Sequence, residues 1–276
     1  MAYAFSGEGS LDYFPCRYGA SRLLFRGPRR SLDRPYLAFL GGTETYGKYV
    51  PDPYPDLIED ETGLAAVNLA CVNAGLDVYL AEPEVLQVAH GAAAVVVQIV
   101  GAGNLSNRYY SVHPRRNDRF IAASPLLKAL YREVDFTDFN FTRHMLLSLR
   151  AASRDRFEVL ADELRLTWVA RMKELLTALP ARTVLLWLAD HHPAARADQS
   201  GMALNPVLVD EDMLAQVRPR AAAYVEVARG PEARISGLAG MAFPALEAPS
   251  AARLPGPDVH RRVAKILMQA LDPVLQ

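Results

Sequence analysis

The sequence has few cysteines and no long apolar run. Its two cysteines, Cys16 and Cys71, form no CxxC pair and are too few for the disulfide framework of a small secreted domain. No apolar run reaches the ~18 residues that indicate a membrane-spanning helix. The first residues, MAYAFSGEGSLDYF, lack the basic and then apolar regions of a signal peptide. These absences predict a cytoplasmic protein without a membrane span.

The chain also lacks an excess of charge of either sign. Its 30 basic and 31 acidic side chains leave a formal net charge of −1, so it has no basic surplus of the kind that binds nucleic acid. Because 51% of its 276 residues are hydrophobic, a full core can form. We expect one domain over residues 1–276, and no feature of the sequence indicates an oligomeric state.

Short apolar runs alternate with helical patterns along the chain. Five runs bounded by turn residues indicate buried parallel strands at 36–42, 65–71, 92–102, 183–190 and 221–228. Apolar residues at helical spacing predict helices at 56–63, 82–91, 156–179 and 257–275. This alternation is typical of an α/β fold, a three-layer sandwich with a mostly parallel five-stranded sheet.

Three segments do not follow the alternation. Residues 103–155 form an insertion rich in arginine and aromatic side chains, in which we expect one or two helices. Residues 193–219 and 229–256 are rich in proline, alanine and glycine and are predicted loops.

Ligands of parallel α/β sheets bind at the carboxyl ends of the strands. The turns at 41–47, 68–75, 101–107 and 190–192 are therefore expected on one rim.

Three of these turns carry a family resemblance. FLGGTETYG at 39–47 resembles the first block of the SGNH (GDSL) hydrolases, FxGDSxTxG, with Thr43 where those enzymes have a nucleophilic serine. VNLACVNAGLD at 67–77 resembles the second block, which implies an oxyanion-hole N–H at Gly75 beside Asn73. IVGAGNLSN at 99–107 resembles the GxND block, which implies a side-chain donor at Asn104 or Asn107. The chain resembles an atypical bacterial branch of this superfamily, which implies an SGNH- or flavodoxin-like sheet.

The resemblance has departures that concern the catalytic base. Gly42 stands where the first block has aspartate, and alignment of the closing DxxH block places Leu254 where the catalytic histidine belongs. A hydroxyl nucleophile needs a base, and the candidates are His260, near the start of the last helix, and His191, at the end of a strand. The alternative for Thr43 is a structural role as the N-cap of a helix.

A basic segment, NRYYSVHPRRNDRF at 107–120, follows the third block. Arginine presents a planar fork that suits carboxylate, phosphate or sulfate. The predicted substrate contacts are Asn73, Asn107, Arg108, His113, Arg115, Arg116 and Arg119. The alternative is that these arginines form salt bridges with acidic stretches of the chain. The pair His191 and His192 after Asp190 does not make a metal site, and we expect neither a metal nor another cofactor.

Three functions are compatible with these features. The first is an esterase or O-acyltransferase that acts through Thr43 on an acylated small molecule or glycan, anionic or carbohydrate-linked. The second is a transferase of a sulfuryl or phosphoryl group, in which arginines and rim amides stabilise charge. The third is a non-catalytic anion-binding module. The two enzyme functions are favoured together, with the first slightly ahead of the second.

Overall fold

A parallel sheet lies at the centre of the computed structural model, which describes residues 9–194, 202, 204–228 and 237–276. The described strands are β1 (Tyr36–Leu40), β2 (Ala65–Asn68), β3 (Ala94–Gln98), β4 (Tyr110–His113), β5 (Arg116–Ala123), β6 (Thr183–Ala189) and β7 (Ala223–Ala228). Five of them form the sheet in the order β2–β1–β3–β6–β7, and every neighbouring pair runs parallel. These are the five predicted strands, so the predicted α/β fold is confirmed.

Helices cover both faces of this sheet. The described helices are α1 (Thr43–Tyr46), α2 (Tyr54–Thr62), α3 (Asp77–Leu80), α4 (Pro83–His90), α5 (Pro125–Leu130), α6 (Thr142–Ala152), α7 (Arg154–Ala178), α8 (Glu211–Val217), a short helix at Ala248–Ala251 and the C-terminal helix (Pro257–Leu275). The four helices predicted from apolar spacing are all present. Their bounds differ from the prediction by at most two residues at each end, which is the usual uncertainty of helix ends.

The sheet separates two apolar layers. On one face, α7 buries residues at three- and four-residue spacing, among them Leu160, Leu164 and Trp168. On the other face, the C-terminal helix buries Val263 and Leu267 beside α2. Because helices lie on both sides, strands such as β3 are buried at every position. This explains why the strands read as continuous apolar runs and not as alternating ones.

The insertion at 103–155 contains more than the expected helices. It holds α5 and α6 together with an antiparallel hairpin of β4 and β5, which the sequence analysis did not anticipate. The predicted loop at 193–219 is interrupted by α8. Residues 195–201 and 203 of that predicted loop, and 229–236 of the other, lie outside the described residues.

Two features noted in the sequence can be compared directly with the structure. Both cysteines, Cys16 and Cys71, are free thiols. In the part of the chain that the structure describes, no helix is both long and apolar enough to cross a membrane.

A buried arginine holds the N-terminal segment to the turn that follows β1. The Arg26 guanidinium donates hydrogen bonds to the carbonyls of Gly47 (2.7 Å) and Pro51 (2.5 Å). It lies 4.0 Å from the carboxylate of Asp56, and the Arg30 guanidinium lies 3.9 Å from the same group. Burial outweighs these two cations and raises the pKa of Asp56 to about 6.

We therefore expect Asp56 to make the protein less stable as the pH rises from about 4 to about 6. In this window the folded state keeps a proton on Asp56, whose pKa of about 6 lies above the ordinary value of 3.8, while the unfolded chain has lost it. Asp56→Asn should remove this pH dependence and raise the free energy of unfolding near pH 7 by on the order of 2 kcal/mol. Urea unfolding at several pH values measures both effects.

The matched control is Asp60→Asn, since Asp60 lies on the same helix and is exposed. This control should leave the pH dependence of unfolding as it is in the wild type. The prediction would be contradicted if the free energies of unfolding of Asp56→Asn and the wild type differed by the same amount at pH 4 and at pH 7.

Candidate active site

A cavity of about 1220 Å³ lies at the carboxyl ends of the central strands. It is lined after β1 by Gly42 and Thr43, after β2 by Asn73, and after β6 by Asp190. Further lining comes from the turn after β3, from α6 and from residues 250–254. All four turns that were expected on one rim contribute to this lining, because parallel pairing brings the carboxyl ends to one edge of the sheet.

Asn73 holds the Thr43 hydroxyl in place. Thr43 Oγ1 accepts a hydrogen bond from the backbone N–H of Asn73 (2.9 Å) and donates one to Asn73 Oδ1 (3.2 Å). Thr43 is the first residue of α1, and Gly42 occupies the N-cap position without a side-chain hydrogen bond. The structure therefore does not place Thr43 in the capping role that the sequence analysis considered.

A polar network extends from Asn73 away from Thr43. Asn73 adopts a left-handed backbone conformation with φ of 57°, which asparagine tolerates better than most residues. Its carbonyl accepts a hydrogen bond from Asn104 Nδ2 (3.0 Å), and its Nδ2 donates to Asp118 Oδ2 (3.2 Å). Asn104 Oδ1 in turn accepts from Thr142 Oγ1 (2.6 Å). Thr43 is thus connected through Asn73 to a buried carboxylate.

The residues expected to form an oxyanion hole have partners inside the protein. The backbone N–H of Gly75 donates to Asn117 Oδ1 (3.1 Å), and the side-chain amide of Asn104 donates to Asn73. A Cβ at position 75 would lie 1.8 Å from the Asn104 carbonyl oxygen, so this turn requires Gly75. Asn107 hydrogen-bonds its own turn and does not line the cavity. In this structure the Gly75 N–H already has an acceptor, and one of the two N–H groups of the Asn104 side chain is also used.

No histidine lines the cavity, although all six histidines of the chain lie in described residues. His260 is buried, its Nδ1 accepts the backbone N–H of Tyr54 (3.0 Å), and its ring stacks on the Tyr54 ring. His191 packs edge-on against Trp187, and burial lowers its pKa. Neither expected base contacts Thr43, because each packs against an aromatic side chain outside the cavity lining.

The position aligned with the catalytic histidine of the SGNH enzymes does reach the cavity. That position is Leu254, which lines the cavity together with Arg253. Both hydrogen bonds of the Thr43 hydroxyl go to Asn73. A leucine therefore stands on the cavity wall where the resemblance implies a base, and an alkyl side chain cannot take a proton.

The four arginines of the basic segment lie outside the cavity lining. Arg108 forms a salt bridge with Glu163 of α7, so its guanidinium already has a carboxylate partner. Arg119 stacks on the Phe141 ring, 4.6 Å from the ring centroid. Arg115 and Arg116 are exposed at the hairpin turn. None of these four arginines therefore lies in the cavity lining beside Thr43.

His113, the remaining residue of the predicted substrate contacts, is likewise absent from the cavity lining. Its Nδ1 accepts the backbone N–H of Arg115 (3.2 Å) across the turn between β4 and β5. Among the residues that the structure describes, the cations that line the cavity are Lys48, Arg143 and Arg253.

Gln98, which was not predicted from the sequence as a site residue, shapes the turn around Thr43. Gln98 Oε1 accepts from the backbone N–H groups of Gly42 (2.9 Å) and Thr45 (3.2 Å), and its Nε2 donates to Glu44 Oε2 (2.9 Å). Asn205 Nδ2 donates to the other oxygen of Glu44 (2.9 Å). In the sequence, Gln98 is marked only as a polar residue at the end of an apolar run. Such a residue is easily taken to mark the end of a strand and not a site.

Among the described residues, no group of three or more histidine, cysteine, aspartate or glutamate side chains is arranged to hold a metal ion. The polar groups that face the cavity are carboxamides, hydroxyls, carboxylates and cationic side chains. Such groups position a ligand by hydrogen bonds and charge.

We predict that His260 contributes to stability. His260→Ala should lower the free energy of unfolding by about 2–4 kcal/mol, because it leaves the Tyr54 N–H without an acceptor and opens a void in the core. Denaturant unfolding measures this change. The control is His90→Ala at the exposed end of α4, which should change stability little. An unchanged unfolding midpoint in His260→Ala would contradict the prediction.

Comparisons with solved structures give similarities of fold, and no curated protein matches the chain. The chain is similar to an extracellular lipase from Streptomyces rimosus, with 14% identity, a TM-score of 0.45, and coverage of 85% of this chain and 99% of that one. It is also similar to phospholipase A1 from Streptomyces albidoflavus NA297, with 12% identity, a TM-score of 0.44, and coverage of 86% and 99%. Residues 1–275 match the family described as a domain of unknown function, DUF6473, and the chain belongs to that family.

Proposed function

We propose that the cavity is the active site of an esterase or O-acyltransferase in which the Thr43 hydroxyl receives the acyl group. One observation carries the proposal. Thr43 lines the cavity at the carboxyl end of β1, and its hydroxyl is joined through Asn73 to the buried carboxylate of Asp118. The fit of the sequence to three blocks of the SGNH hydrolases supports the same reaction class.

The hydrogen bonds of Thr43 leave its oxygen able to attack. A hydroxyl has one proton to donate and two lone pairs. Asn73 accepts the proton of Thr43 through Oδ1 and occupies one lone pair through its backbone N–H. One lone pair of Oγ1 remains for a substrate in the cavity. An electrophilic carbonyl carbon is the kind of group that this lone pair would attack.

In the acyl-transfer step, a bond forms between Thr43 Oγ1 and the acyl carbon, and the ester C–O bond breaks. The proton that Thr43 donates to Asn73 Oδ1 before the reaction is released as this bond forms, and it passes to the departing alkoxide, directly or through a bound water, since no imidazole lines the cavity. Water or an acceptor hydroxyl then takes the acyl group and returns a proton to Thr43. General acid–base catalysis contributes about 10²–10⁴-fold in rate, so we expect turnover slower than that of a hydrolase with a complete triad.

The cavity lining suits an acylated substrate that also carries a negative charge. Apolar side chains of Val100, Leu146 and Leu254 form part of the wall and can accommodate an acyl chain. Lys48, Arg143 and Arg253 also line the cavity, and cations of this type recognise carboxylate, sulfate or phosphate. We therefore propose an acylated small molecule or glycan with an anionic group as the substrate class.

Replacement of Thr43 tests the reaction. Thr43→Ala should reduce hydrolysis of p-nitrophenyl acetate by about 10²-fold or more, since it removes the attacking oxygen. Thr43→Ser should keep or raise the activity, because a primary hydroxyl is less hindered. Thr177→Ala, at an exposed position of α7, is the control. Equal turnover in Thr43→Ala and the wild type would refute an acyl-threonine step.

A second candidate function is anion binding, with transfer of a sulfuryl or phosphoryl group or without any turnover. The observation that favours it is the leucine at position 254, on a cavity wall whose described residues include three cations and no histidine. In this case the wild type should be stabilised by sulfate or phosphate even if it hydrolyses no ester.

Ligand-induced stabilisation distinguishes the second candidate. At a ligand concentration of 100 times Kd, binding to the folded state alone adds about 2.7 kcal/mol to the free energy of unfolding. We expect Arg143→Gln, in the cavity lining, to weaken a sulfate-induced rise in Tm, and the exposed hairpin variant Arg115→Gln to leave it unchanged. Equal responses in both variants would show that the anion does not bind in the cavity.

The proposal includes a location in the cytoplasm. Its support is that Cys16 and Cys71 are free thiols, which suits a reducing compartment. Burial raises the pKa of the Cys71 thiol to about 12, so this thiol is not a reactive group.

A further inference from the structure

We propose that Asp118 is a positioning residue for Thr43. By fixing the orientation of the Asn73 carboxamide, Asp118 directs the Thr43 proton into the protein and leaves a lone pair of Oγ1 toward the cavity. This inference rests on the proposed function and adds a residue to its site.

The two ends of a carboxamide differ in the hydrogen bonds that they make. Its oxygen only accepts hydrogen bonds and its NH₂ group only donates them, whereas an ionised carboxylate only accepts. The Asn73 side chain lies between Thr43 Oγ1 (3.2 Å) and Asp118 Oδ2 (3.2 Å). Because Asp118 accepts, the NH₂ group of Asn73 must face it. The carboxamide oxygen must then face Thr43, whose hydroxyl can satisfy that oxygen only by donating its proton.

The backbone of Asn73 is held in place by hydrogen bonds, so only the orientation of its side-chain carboxamide can change in the contact with Thr43. Its N–H is bonded to Thr43 and its carbonyl to Asn104. The residue is thus held from both sides in its left-handed conformation, with φ of 57°. Half a turn of the carboxamide would exchange its oxygen and nitrogen without moving the backbone. Thr43 would then accept two hydrogen bonds from Asn73, and its own proton would point elsewhere.

Asp118 lines the cavity and is nearly buried there. The residue is only 9% exposed, and its Oδ1 has no hydrogen-bond partner among the described residues. The backbone carbonyl of Asp118 accepts a hydrogen bond from Thr142 Oγ1 (3.4 Å), and this bond helps to fix β5 at this point. Burial of a carboxylate with an unsatisfied oxygen is costly and is uncommon in folded proteins. Among the described residues, the one side-chain hydrogen bond of Asp118 is the one to Asn73.

The charge of Asp118 also strengthens this chain of hydrogen bonds. Bonds to an ionised acceptor are stronger than bonds between neutral groups, and consecutive hydrogen bonds polarise one another. The bond from Asn73 to Asp118 thus makes the carboxamide oxygen a better acceptor for the Thr43 proton. An asparagine at position 118 would remove both effects, because it could present either an oxygen or an NH₂ group to Asn73.

The test compares the labelling of Thr43 by a fluorophosphonate in four proteins. In this reaction a bond forms between phosphorus and Oγ1, the P–F bond breaks, and the proton and fluoride leave. We expect Asp118→Asn to label about tenfold more slowly than the wild type or worse, as when an amide replaces the orienting aspartate of a catalytic triad. The exposed α7 variant Asp162→Asn is the matched control and should label at the wild-type rate.

The fourth protein exchanges the two side chains. In the double variant Asn73→Asp with Asp118→Asn, the new carboxylate at position 73 accepts from Thr43 with one oxygen and from the new amide at position 118 with the other. The orientation is then enforced again, so the labelling rate should return to at least the wild-type value. A double variant as slow as Asp118→Asn, or an Asp118→Asn protein as fast as the wild type, would overturn the inference.

Neutron diffraction separates this inference from the proposed function. Absence of labelling in the wild type would count against the acyl-threonine proposal, while the orientation of the hydroxyl can still be observed directly. In the wild type we expect the Thr43 deuterium between Oγ1 and Asn73 Oδ1, and in Asp118→Asn we expect it toward the cavity in part of the molecules. A wild-type deuterium that points to the cavity refutes the role of Asp118, and this holds even if Asp118→Asn does not fold.

Discussion

Parallel pairing of β1 with β2 and β3 is the constraint on which the site depends. The register sets Phe39 opposite Asn68 and Leu40 opposite Val97, so the turns after the three strands begin at one edge of the sheet. Parallel strands require crossover connections, and the helices in those connections cover both faces. The polar groups of the site therefore gather at the rim formed by the carboxyl ends of these strands.

Carboxamide side chains hold the polar groups of this rim in place. Gln98 holds the turn before and after Thr43, Asn73 holds its hydroxyl, and Asn104 holds the carbonyl of Asn73. A carboxamide offers donors and an acceptor but takes up no proton at ordinary pH. Such a site positions a hydroxyl well and activates it weakly. This is consistent with the proposal of slow acyl transfer and also with the alternative of ligand binding.

The insertion at 103–155 contributes to the site, but through residues other than the expected arginines. Its arginines were predicted to contact a ligand, yet Arg108 pairs with Glu163 and Arg119 stacks on Phe141. The insertion instead supplies Asp118 from β5, and Thr142 from the start of α6. A long arginine finds an accessible carboxylate or ring nearby, whereas the short Asp118 side chain stays where the strand places it. The hairpin therefore positions a carboxylate in the site.

The sequence by itself determined the strands, the long helices and the rim, because these follow from local apolar spacing and from the right-handed parallel connection. The two turns that carry Thr43 and Asn73 could be named in advance for the same reason. Tertiary structure alone decided which side chains meet. His260 contacts Tyr54 across 206 residues and Asn73 contacts Asp118 across 45. Partners so far apart are selected by packing, which local sequence does not encode, so only the folded chain shows a carboxylate behind Asn73 and a leucine in the place of a base.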